Sequence, residues 1–277
     1  MQLFVSDLDG TLLTGDQVLS PRTAAGINRL IQAGCPFTVA TARSWESARK
    51  VLAPLRLRLP AIASNGVMLV DPATGRPLVV NDLGRERAEG LVALFEGAGR
   101  CPMVYTLLPD GTQRVYYKRI GNPAQQFYID GRVAAGDPRF RRVDRFELIP
   151  GERIFEVAAL DMGAAMAPLY AQVRFDPDLC VHDIDEVYFP GGRWLEIYDA
   201  KAGKDNALRE LIRMTGAQQV TVFGDQPNDL PMFAVADCPV AVANAAPEVR
   251  AAARQVIGHH DPDAVLAYLE SRWLPEG

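Results

Sequence analysis

The sequence predicts an α/β protein in which a parallel-sheet core is interrupted by an inserted α+β segment. Strand-like and helix-like stretches alternate at the start of the chain and again from Lys204 onward, an order typical of parallel sheets with helical crossovers. Between these regions, helices are followed by pairs of short strands around turn residues, which is typical of antiparallel sheets. We therefore predict a core domain of residues 1–82 and 193–277 and a second domain of residues 83–192.

In the first segment, apolar runs bounded by turn residues indicate the strands and capped amphipathic stretches indicate the helices. The predicted strands are Leu3–Val5, Phe37–Ala40 and Ala61–Ser64, with a hairpin of Val67–Val70 and Leu78–Val80. Ser20-Pro21 starts one helix, which Gly34 ends, and Ser44 starts another, which runs to about Ala53.

In the inserted segment the same signals predict three helices, two hairpins and one further strand. The helices are Arg85–Glu96, Asn122–Ala135 and Ala164–Gln172; the strands are Met103–Leu108, Gln113–Lys118, Ile154–Leu160, Leu179–Asp183 and Glu186–Phe189, and residues 135–153 give no clear pattern beyond the ends of their neighbours.

Parallel α/β alternation returns in the last segment. It has a helix at Lys204–Met214, strands at Gln219–Phe223, Val240–Val242 and Val256–Ile257, and a last helix that Asp261-Pro262 opens.

Composition limits the class of protein. The 277 residues carry 29 Lys and Arg against 34 Asp and Glu, a net charge of -5, which argues against a general binder of nucleic acid or membrane surfaces. The four scattered cysteines and three histidines have neither disulfide-framework nor zinc spacing. Without a signal peptide or a long apolar run, we expect a cytoplasmic protein, and no feature indicates a protein partner.

Polar residues follow three of the predicted parallel strands. They are Asp7 and Asp9 after the first strand, Thr41 after the second, and the run from Gly224 to Asp229 after the strand Gln219–Phe223. The carboxyl ends of parallel strands lie on one edge of a sheet, where ligands bind. Gathered carboxylates there would repel one another without a cation, and oxygen donors select Mg²⁺. The sequence thus predicts a magnesium site.

The same edge could hold a phosphoryl group, through the Thr41 hydroxyl and the Lys204 ammonium. A carboxylate can attack phosphorus, and a second acid can move the proton of the leaving group. Each feature alone has a simpler explanation: Asp-Gly is a common turn, Thr41 could cap a helix, and Lys204 could be a solvated helix residue. Their order and spacing together favour the site.

The segments Asp7-Leu8-Asp9-Gly10-Thr11-Leu12, Thr41, Lys204 and Gly224-Asp225-Gln226-Pro227-Asn228-Asp229 resemble the four motifs of the haloacid dehalogenase superfamily of phosphatases. The inserted segment and the pairs Asn65-Gly66 and Asn244-Ala245 resemble its Cof-type branch, subclass IIB. The resemblance implies a Rossmann-like core with a C2B-type cap that determines substrate specificity.

The resemblance also implies a role for each matching residue. Asp7 would be the nucleophile and Asp9 the general acid/base. Mg²⁺ would be bound by Asp7, Asp225 and the backbone carbonyl of Asp9, and by Asp229 either directly or through water. Phosphate would be bound by Thr41, Ala42, Lys204, Asn228 and Asn244, with Asn228 orienting Lys204, and the substrate would be faced by Arg43 and Asn65. Three positions depart from the family pattern, since Ala42, Asp205 and Ala243 stand where glycine is usual.

These features favour a Mg²⁺-dependent phosphatase that acts on a small phosphorylated metabolite, such as a sugar phosphate or a phosphorylated cofactor, through an aspartyl phosphate. A sugar phosphomutase would use the same motifs, and a signalling or binding protein that carries a phosphoaspartate is an alternative of another class. Candidate substrate contacts in the insert are Tyr105, Arg114, Tyr116, Lys118, His182 and Arg193. For each of these, a surface or sheet-face role is the simpler explanation.

Overall fold

The structure is a computed structural model that describes residues 1–186, 188–260 and 263–273. The chain forms two compact units. Unit 1 consists of residues 1–80 and 202–277, and unit 2 consists of residues 81–201.

Residues 1–80 contribute five strands and two helices to unit 1. They are β1 (Gln2–Ser6), α1 (Pro21–Gln32), β2 (Phe37–Val39), α2 (Trp45–Leu52), β3 (Ala61–Ala63), β4 (Met68–Val70) and β5 (Pro77–Val80). Ser20 caps α1 as predicted, because its Oγ accepts a hydrogen bond of 3.0 Å from the Thr23 N–H. The buried Ile27, Leu30 and Ile31 recur at helical spacing, so one face of α1 lies in the core.

Unit 2 contains three helices and a six-stranded sheet. Its elements are α3 (Arg85–Gly97), β6 (Met103–Leu107), β7 (Gln113–Tyr117), α4 (Pro123–Ala134), β8 (Phe140–Arg142), β9 (Arg153–Met162), α5 (Ala167–Val173), β10 (Leu179–Asp185) and β11 (Gly192–Asp199). The strand order is β10-β11-β9-β6-β7-β8, and every pair is antiparallel except β7 with β8. The predicted antiparallel α+β insert is confirmed.

The end of unit 2 differs from the prediction. Residues 186, 188 and 189 are not in a strand, and β10 pairs with β11 instead. Since β11 also pairs with β9, it is an inner strand of this sheet, and unit 2 ends at residue 201 rather than 192. Gly191, with φ +79°, belongs to the turn that leads into β11, so the chain stays in the unit 2 sheet beyond residue 192.

Residues 202–277 return to unit 1. Their elements are α6 (Lys204–Thr215), β12 (Gln219–Gly224), α7 (Leu230–Val235), β13 (Cys238–Ala241), α8 (Pro247–Ala252), β14 (Gln255–Val256) and α9 (Ala264–Trp273). The short helices α7 and α8 were not predicted. The predicted helix start at Asp261-Pro262 lies outside the described residues.

The core of unit 1 is a parallel sheet of five strands in the order β14-β13-β12-β1-β2. The central β1 pairs with β12 on one side and β2 on the other, and Leu3, Phe4 and Val5 are fully buried. The predicted strand Ala61–Ser64 does not extend this sheet. It forms β3 of a separate antiparallel sheet, β3-β4-β5, joined to the end of β2 by one parallel bridge between Ala40 and Ile62.

This topology gathers the carboxyl ends of β1, β2 and β12 at one edge of the parallel sheet, as the sequence predicted. No helix in the described ranges is both long and apolar enough to span a membrane.

Candidate active site

The turn after β1 positions the first acidic residue. Asp7 follows the last residue of the strand, and its N–H donates to the Phe223 carbonyl of β12 at 2.9 Å. Gly10 has φ +76°, and a Cβ there would lie 2.3 Å from Asp225 Oδ2. Glycine is therefore required here for two reasons: the backbone has a positive φ, and a side chain would overlap Asp225. The Asp9-Gly10 turn thus lets Asp225 lie close to the loop after β1.

Three carboxylates meet around one ammonium group. One oxygen from each of Asp7, Asp225 and Asp229 lies within 4.8 Å of the others, and all three residues are buried. Lys204 Nζ lies 2.6 Å from Asp7 Oδ1 and 2.6 Å from Asp229 Oδ1, with its side chain fully buried. One lysine cannot balance the charge of three buried carboxylates. The cluster therefore has an excess of negative charge, which a bound cation would offset.

The pKa values of the cluster reflect this excess of negative charge. Burial raises the pKa of Asp7 to about 8, Lys204 opposes that rise, and Asp229 and Asp225 add to it. Burial alone would lower the pKa of Lys204, but Asp7 and Asp229 raise it above its usual value, so the ammonium stays charged. The pKa of Asp225 is also raised, chiefly by burial. Added positive charge would therefore favour the ionised carboxylates.

Neighbouring donors orient the carboxylates of the β12 loop. Thr11 Oγ1 donates to Asp225 Oδ1 at 2.9 Å, and Gln226 Nε2 donates to Asp225 Oδ2 at 2.9 Å. Asp229 Oδ2 accepts from the backbone N–H groups of residues 225 and 226, at 2.9 and 3.1 Å. A buried, hydrogen-bonded set of oxygen donors fits Mg²⁺, which prefers few carboxylates and retains waters. The participation of the Asp9 carbonyl stays a prediction.

Asp9 has a different environment from Asp7. Its two carboxylate oxygens accept from Arg43, with Nε–Oδ2 at 2.7 Å and Nη2–Oδ1 at 2.5 Å. Arg43 Nη2 also donates to Gln17 Oε1 at 3.0 Å. The Asp9 side chain is 45% exposed, whereas Asp7 is buried, so the two acids are suited to different tasks. The predicted substrate contact of Arg43 stays a prediction; its observed partners are Asp9 and Gln17.

The loop after β2 contains the predicted phosphate contacts Thr41 and Ala42. Thr41 is buried, and its Oγ1 accepts from the Arg43 N–H at 3.0 Å. Ala42 is exposed and is not among the described residues with positive φ, so alanine fits here without backbone strain. The Asn65 N–H donates to the Thr41 carbonyl at 3.0 Å, and Asn65 itself has φ +51°.

Two predicted asparagines have partners that the sequence did not indicate. Asn228 Nδ2 donates to Asn65 Oδ1 at 3.2 Å, and the observed partners of Lys204 are Asp7 and Asp229, so the orienting role of Asn228 stays a prediction. Asn244 Nδ2 donates to the Gly10 carbonyl at 2.7 Å, and its Oδ1 accepts from the His260 N–H at 3.0 Å. Asn244 thus holds the turn that carries Asp9. Its predicted phosphate contact is not tested by these bonds.

Asp205 and Ala243, the other two residues that stand where the family usually has glycine, also fit their positions without strain. Asp205 lies in the first turn of α6, where a negative charge is favourable. Ala243 is exposed and has no positive φ. Sequence reasoning gave no role to Thr11 or Gln17, whose contacts with Asp225 and Arg43 join distant parts of the chain. It also gave none to Gln226, which contacts the adjacent Asp225.

In unit 2, all six candidate substrate residues have local partners. Arg114 donates to the Tyr116 hydroxyl at 3.1 Å. Lys118 pairs with Glu96 at 2.8 Å, and Arg193 pairs with Asp183 and Asp185 at 2.5 and 2.6 Å. The Tyr105 hydroxyl lies 3.5 Å from the Tyr128 hydroxyl, and His182 Nδ1 lies 3.8 Å from Glu196 Oε2.

A parallel α/β unit with carboxylates at one sheet edge and an inserted α+β unit defines a class of fold, and comparison with known proteins identifies the family. The family described as haloacid dehalogenase-like hydrolase matches residues 4–269. The chain therefore belongs to this family, and the resemblance predicted from its motifs is confirmed.

Relatives match the chain over nearly its whole length. YxeH of Bacillus subtilis is 48% identical over 267 residues, which cover 91% of each chain. YwtE of the same organism, a 5-amino-6-(5-phospho-D-ribitylamino)uracil phosphatase, is 28% identical over 295 residues and covers 98% of this chain and 97% of its own. A haloacid dehalogenase-like hydrolase from Bacteroides thetaiotaomicron has a TM-score of 0.77 at 20% identity, covers 98% of both chains, and shows the same fold.

Proposed function

We propose that the chain is a Mg²⁺-dependent phosphatase that hydrolyses a small phosphorylated metabolite through an aspartyl phosphate on Asp7. The observation that carries the proposal is the buried contact of Lys204 with Asp7 and Asp229, next to Asp225. This cluster has the charge and the oxygen donors that suit a divalent cation and a phosphoryl group. The phosphatase activity in the name of YwtE supports the same reaction class.

In the first half-reaction, a carboxylate oxygen of Asp7 attacks phosphorus while the bond between phosphorus and the ester oxygen breaks. Asp9 donates its proton to the leaving oxygen, which departs as an alcohol. In the second half-reaction, water attacks the phosphorus of the aspartyl phosphate and gives a proton to Asp9. Inorganic phosphate leaves, and the Asp7 carboxylate and the protonated Asp9 are restored.

The environments of the two acids support this division of roles. Asp7 must be ionised to attack, and Lys204 at 2.6 Å favours its ionised form. Asp9 is partly exposed, and Arg43 fixes its carboxylate through two hydrogen bonds, so that it is oriented for proton transfer. Thr41 and Lys204 would hold the phosphoryl oxygens. Bound to Asp7, Asp225 and Asp229, Mg²⁺ would supply the positive charge that favours a phosphoryl group in this site.

Turnover of p-nitrophenyl phosphate tests the proposal. We expect release of inorganic phosphate in the presence of Mg²⁺ and no release in excess chelator. In Asp7→Asn, the rate of release should fall about 1000-fold or more. Asp16→Asn, which changes an exposed aspartate of unit 1, is the matched control and should retain wild-type turnover. Undiminished turnover by Asp7→Asn would overturn the assignment of the nucleophile. Formation of an isomeric sugar phosphate without phosphate release would indicate a mutase instead.

A further inference from the structure

The loop after β1 carries both acids of the proposed reaction, and its own backbone closes it into a turn. The N–H groups of residues 11–13 donate to the Leu8 carbonyl at 3.3, 2.9 and 2.9 Å. Asp9 lies in this turn, and its side chain is 45% exposed. Arg43 holds the Asp9 carboxylate, but the backbone that carries this carboxylate must be held by other contacts.

Two carbonyl groups of the turn accept hydrogen bonds from the loops that follow β13 and β14. Asn244 Nδ2 donates to the Gly10 carbonyl at 2.7 Å, and His260 Nδ1 lies 2.7 Å from the Leu13 carbonyl. A carbonyl oxygen can only accept, so Nδ1 of the His260 ring carries a proton and donates it to this bond. Both distances are those of well-formed hydrogen bonds.

His260 also fixes the orientation of Asn244. The backbone N–H of His260 donates to Asn244 Oδ1 at 3.0 Å, so the oxygen of this amide faces a donor and its nitrogen faces an acceptor. The three bonds connect Gly10 through Asn244 and His260 to Leu13. We call the pair of Asn244 and His260 the clamp, and His260 takes part in two of its three bonds.

The loop that carries Asn244 is itself anchored on both sides. The Ala246 N–H donates to the Asp225 carbonyl at 2.8 Å, and the Ala243 N–H donates to the Gly258 carbonyl at 3.1 Å. The clamp therefore joins the turn of Asp9 to a segment that also contacts the backbone of the acidic cluster. All of these residues belong to unit 1.

We propose that His260 is a positioning residue for proton transfer by Asp9. It orients the Asn244 amide, and the two side chains together hold the backbone of the turn at Gly10 and at Leu13. The inference rests on the proposed function, because that function assigns the proton transfer to Asp9. His260 acts through the backbone of the turn, and the group that donates the proton to the leaving oxygen is Asp9.

A purely structural role of the clamp predicts a different response to mutation. General acid catalysis matters most when the leaving oxygen is strongly basic, and it matters little when the leaving group is already a stable anion. A loss of folded protein, or of a phosphate contact, slows the hydrolysis of every ester alike. Selectivity between leaving groups, compared within one variant, therefore separates the positioning role from a structural one.

The test compares p-nitrophenyl phosphate with benzyl phosphate. Both esters have one aromatic ring, but p-nitrophenolate is a stable anion, whereas the oxygen of benzyl alcohol needs a proton to leave. In Asp9→Asn, we expect the ratio of kcat/KM for benzyl phosphate to kcat/KM for p-nitrophenyl phosphate to fall about 100-fold or more. In His260→Ala, this ratio should fall about 10-fold, because a misplaced acid transfers its proton less efficiently.

Two further variants control for loss of hydrogen bonds. His260→Asn should restore most of the wild-type ratio, because its Nδ2 can occupy the place of the ring Nδ1 and donate to Leu13. Asn28→Ala is the matched control in α1, since Asn28 also joins two backbone groups, the Pro54 carbonyl at 2.9 Å and the Arg56 N–H at 2.8 Å. It should lose stability and keep the wild-type ratio.

The outcomes separate this inference from the proposed function. If the ratio falls in Asp9→Asn but stays at the wild-type value in His260→Ala, the inference is overturned and the phosphatase proposal stands. Wild-type protein that hydrolyses neither ester would overturn both. If His260→Ala does not fold, the ratio in Asn244→Ala decides, because loss of a phosphate contact there would slow both esters equally.

Discussion

Gly66 gives a sharp test of how unit 1 positions Lys204. Gly66 lies after β3 with φ +94°, and a Cβ at this position would lie 2.1 Å from the Gly203 carbonyl oxygen and 2.4 Å from its carbon. Gly203 immediately precedes Lys204, whose ammonium contacts Asp7 and Asp229. In Gly66→Ala, the backbone at the start of α6 must therefore move away.

The magnitude follows from two effects. A side chain in the positive-φ region costs about 1–2 kcal/mol. Overlap with backbone atoms that must shift adds about 1–3 kcal/mol. We expect Gly66→Ala to lower the free energy of unfolding by about 2–5 kcal/mol in total. We also expect kcat on p-nitrophenyl phosphate to fall about 10-fold or more, since displacement of a positioned charge weakens catalysis.

Gly34→Ala separates the two effects. Gly34 has φ +91°, close to that of Gly66, but no atom lies within 4 Å of a Cβ built there. Gly34→Ala should therefore lose only the stability that a side chain at positive φ costs, and its kcat should equal that of the wild type. Urea denaturation gives the free energies, and steady-state kinetics give kcat. Equal destabilisation in the two variants, with equal activity, would refute the role of the Gly66–Gly203 contact in positioning Lys204.

Three further predictions follow from the contacts. Thr11→Val removes the hydrogen bond to Asp225, so the Mg²⁺ concentration for half-maximal activity should rise about 10- to 100-fold, while Thr14→Val, a control on the same loop, should leave it unchanged. Arg43→Lys loses the two-point contact with Asp9, so kcat should fall about 10-fold or more; a rise in KM alone would indicate instead that Arg43 binds substrate. His182 has a folded-state pKa of about 10, raised above its ordinary value of 6.5, so its contribution to stability is complete below about pH 6.5 and is lost as pH rises through 10. Urea denaturation from pH 6 to 10 should therefore show a steeper loss of stability in the wild type than in His182→Gln, and parallel curves would contradict this assignment.

The parallel core and its acidic edge could be predicted because their signals are local. Apolar runs that end in Asp7, Thr41 and Gly224 mark strand ends, and the topology of parallel sheets brings such ends together. The β4–β5 hairpin was likewise indicated by its turn residues. In these cases the short-range pattern and the tertiary structure agree.

The inner strand β11 could not be found by the same reasoning. It begins at Gly192 and mixes polar with apolar residues, because its two faces have different surroundings. Leu195 and Ile197 lie in the apolar core, and Glu196 lies on the opposite face, 3.8 Å from His182. The three-residue β8 contains two exposed arginines and has no apolar run. β3 had a correct strand signal, but pairing with β4 rather than with β2 is set by tertiary contacts.

The sequence predicts which residues lie in the candidate site better than it predicts which of their side chains form hydrogen bonds with each other. Motif spacing indicates that Asp9, Arg43 and Asn228 lie near one edge, but it contains no information on side-chain rotamers. The pairing of Arg43 with Asp9, and of Asn228 with Asn65, depends on how loops separated by many residues approach each other. The contact between His182 and Glu196 depends in the same way on strand register, which places the two residues opposite each other in β10 and β11.

The central claim is that Asp7 becomes phosphorylated during turnover. The most direct test is acid quenching of the protein during hydrolysis of a phosphate ester labelled in its phosphoryl group, followed by peptide mapping. We predict transient label on the peptide that contains Asp7, in an acyl phosphate that hydroxylamine cleaves, and no label in Asp7→Asn. Steady hydrolysis without any protein-bound label, or label that persists in Asp7→Asn, would contradict the account.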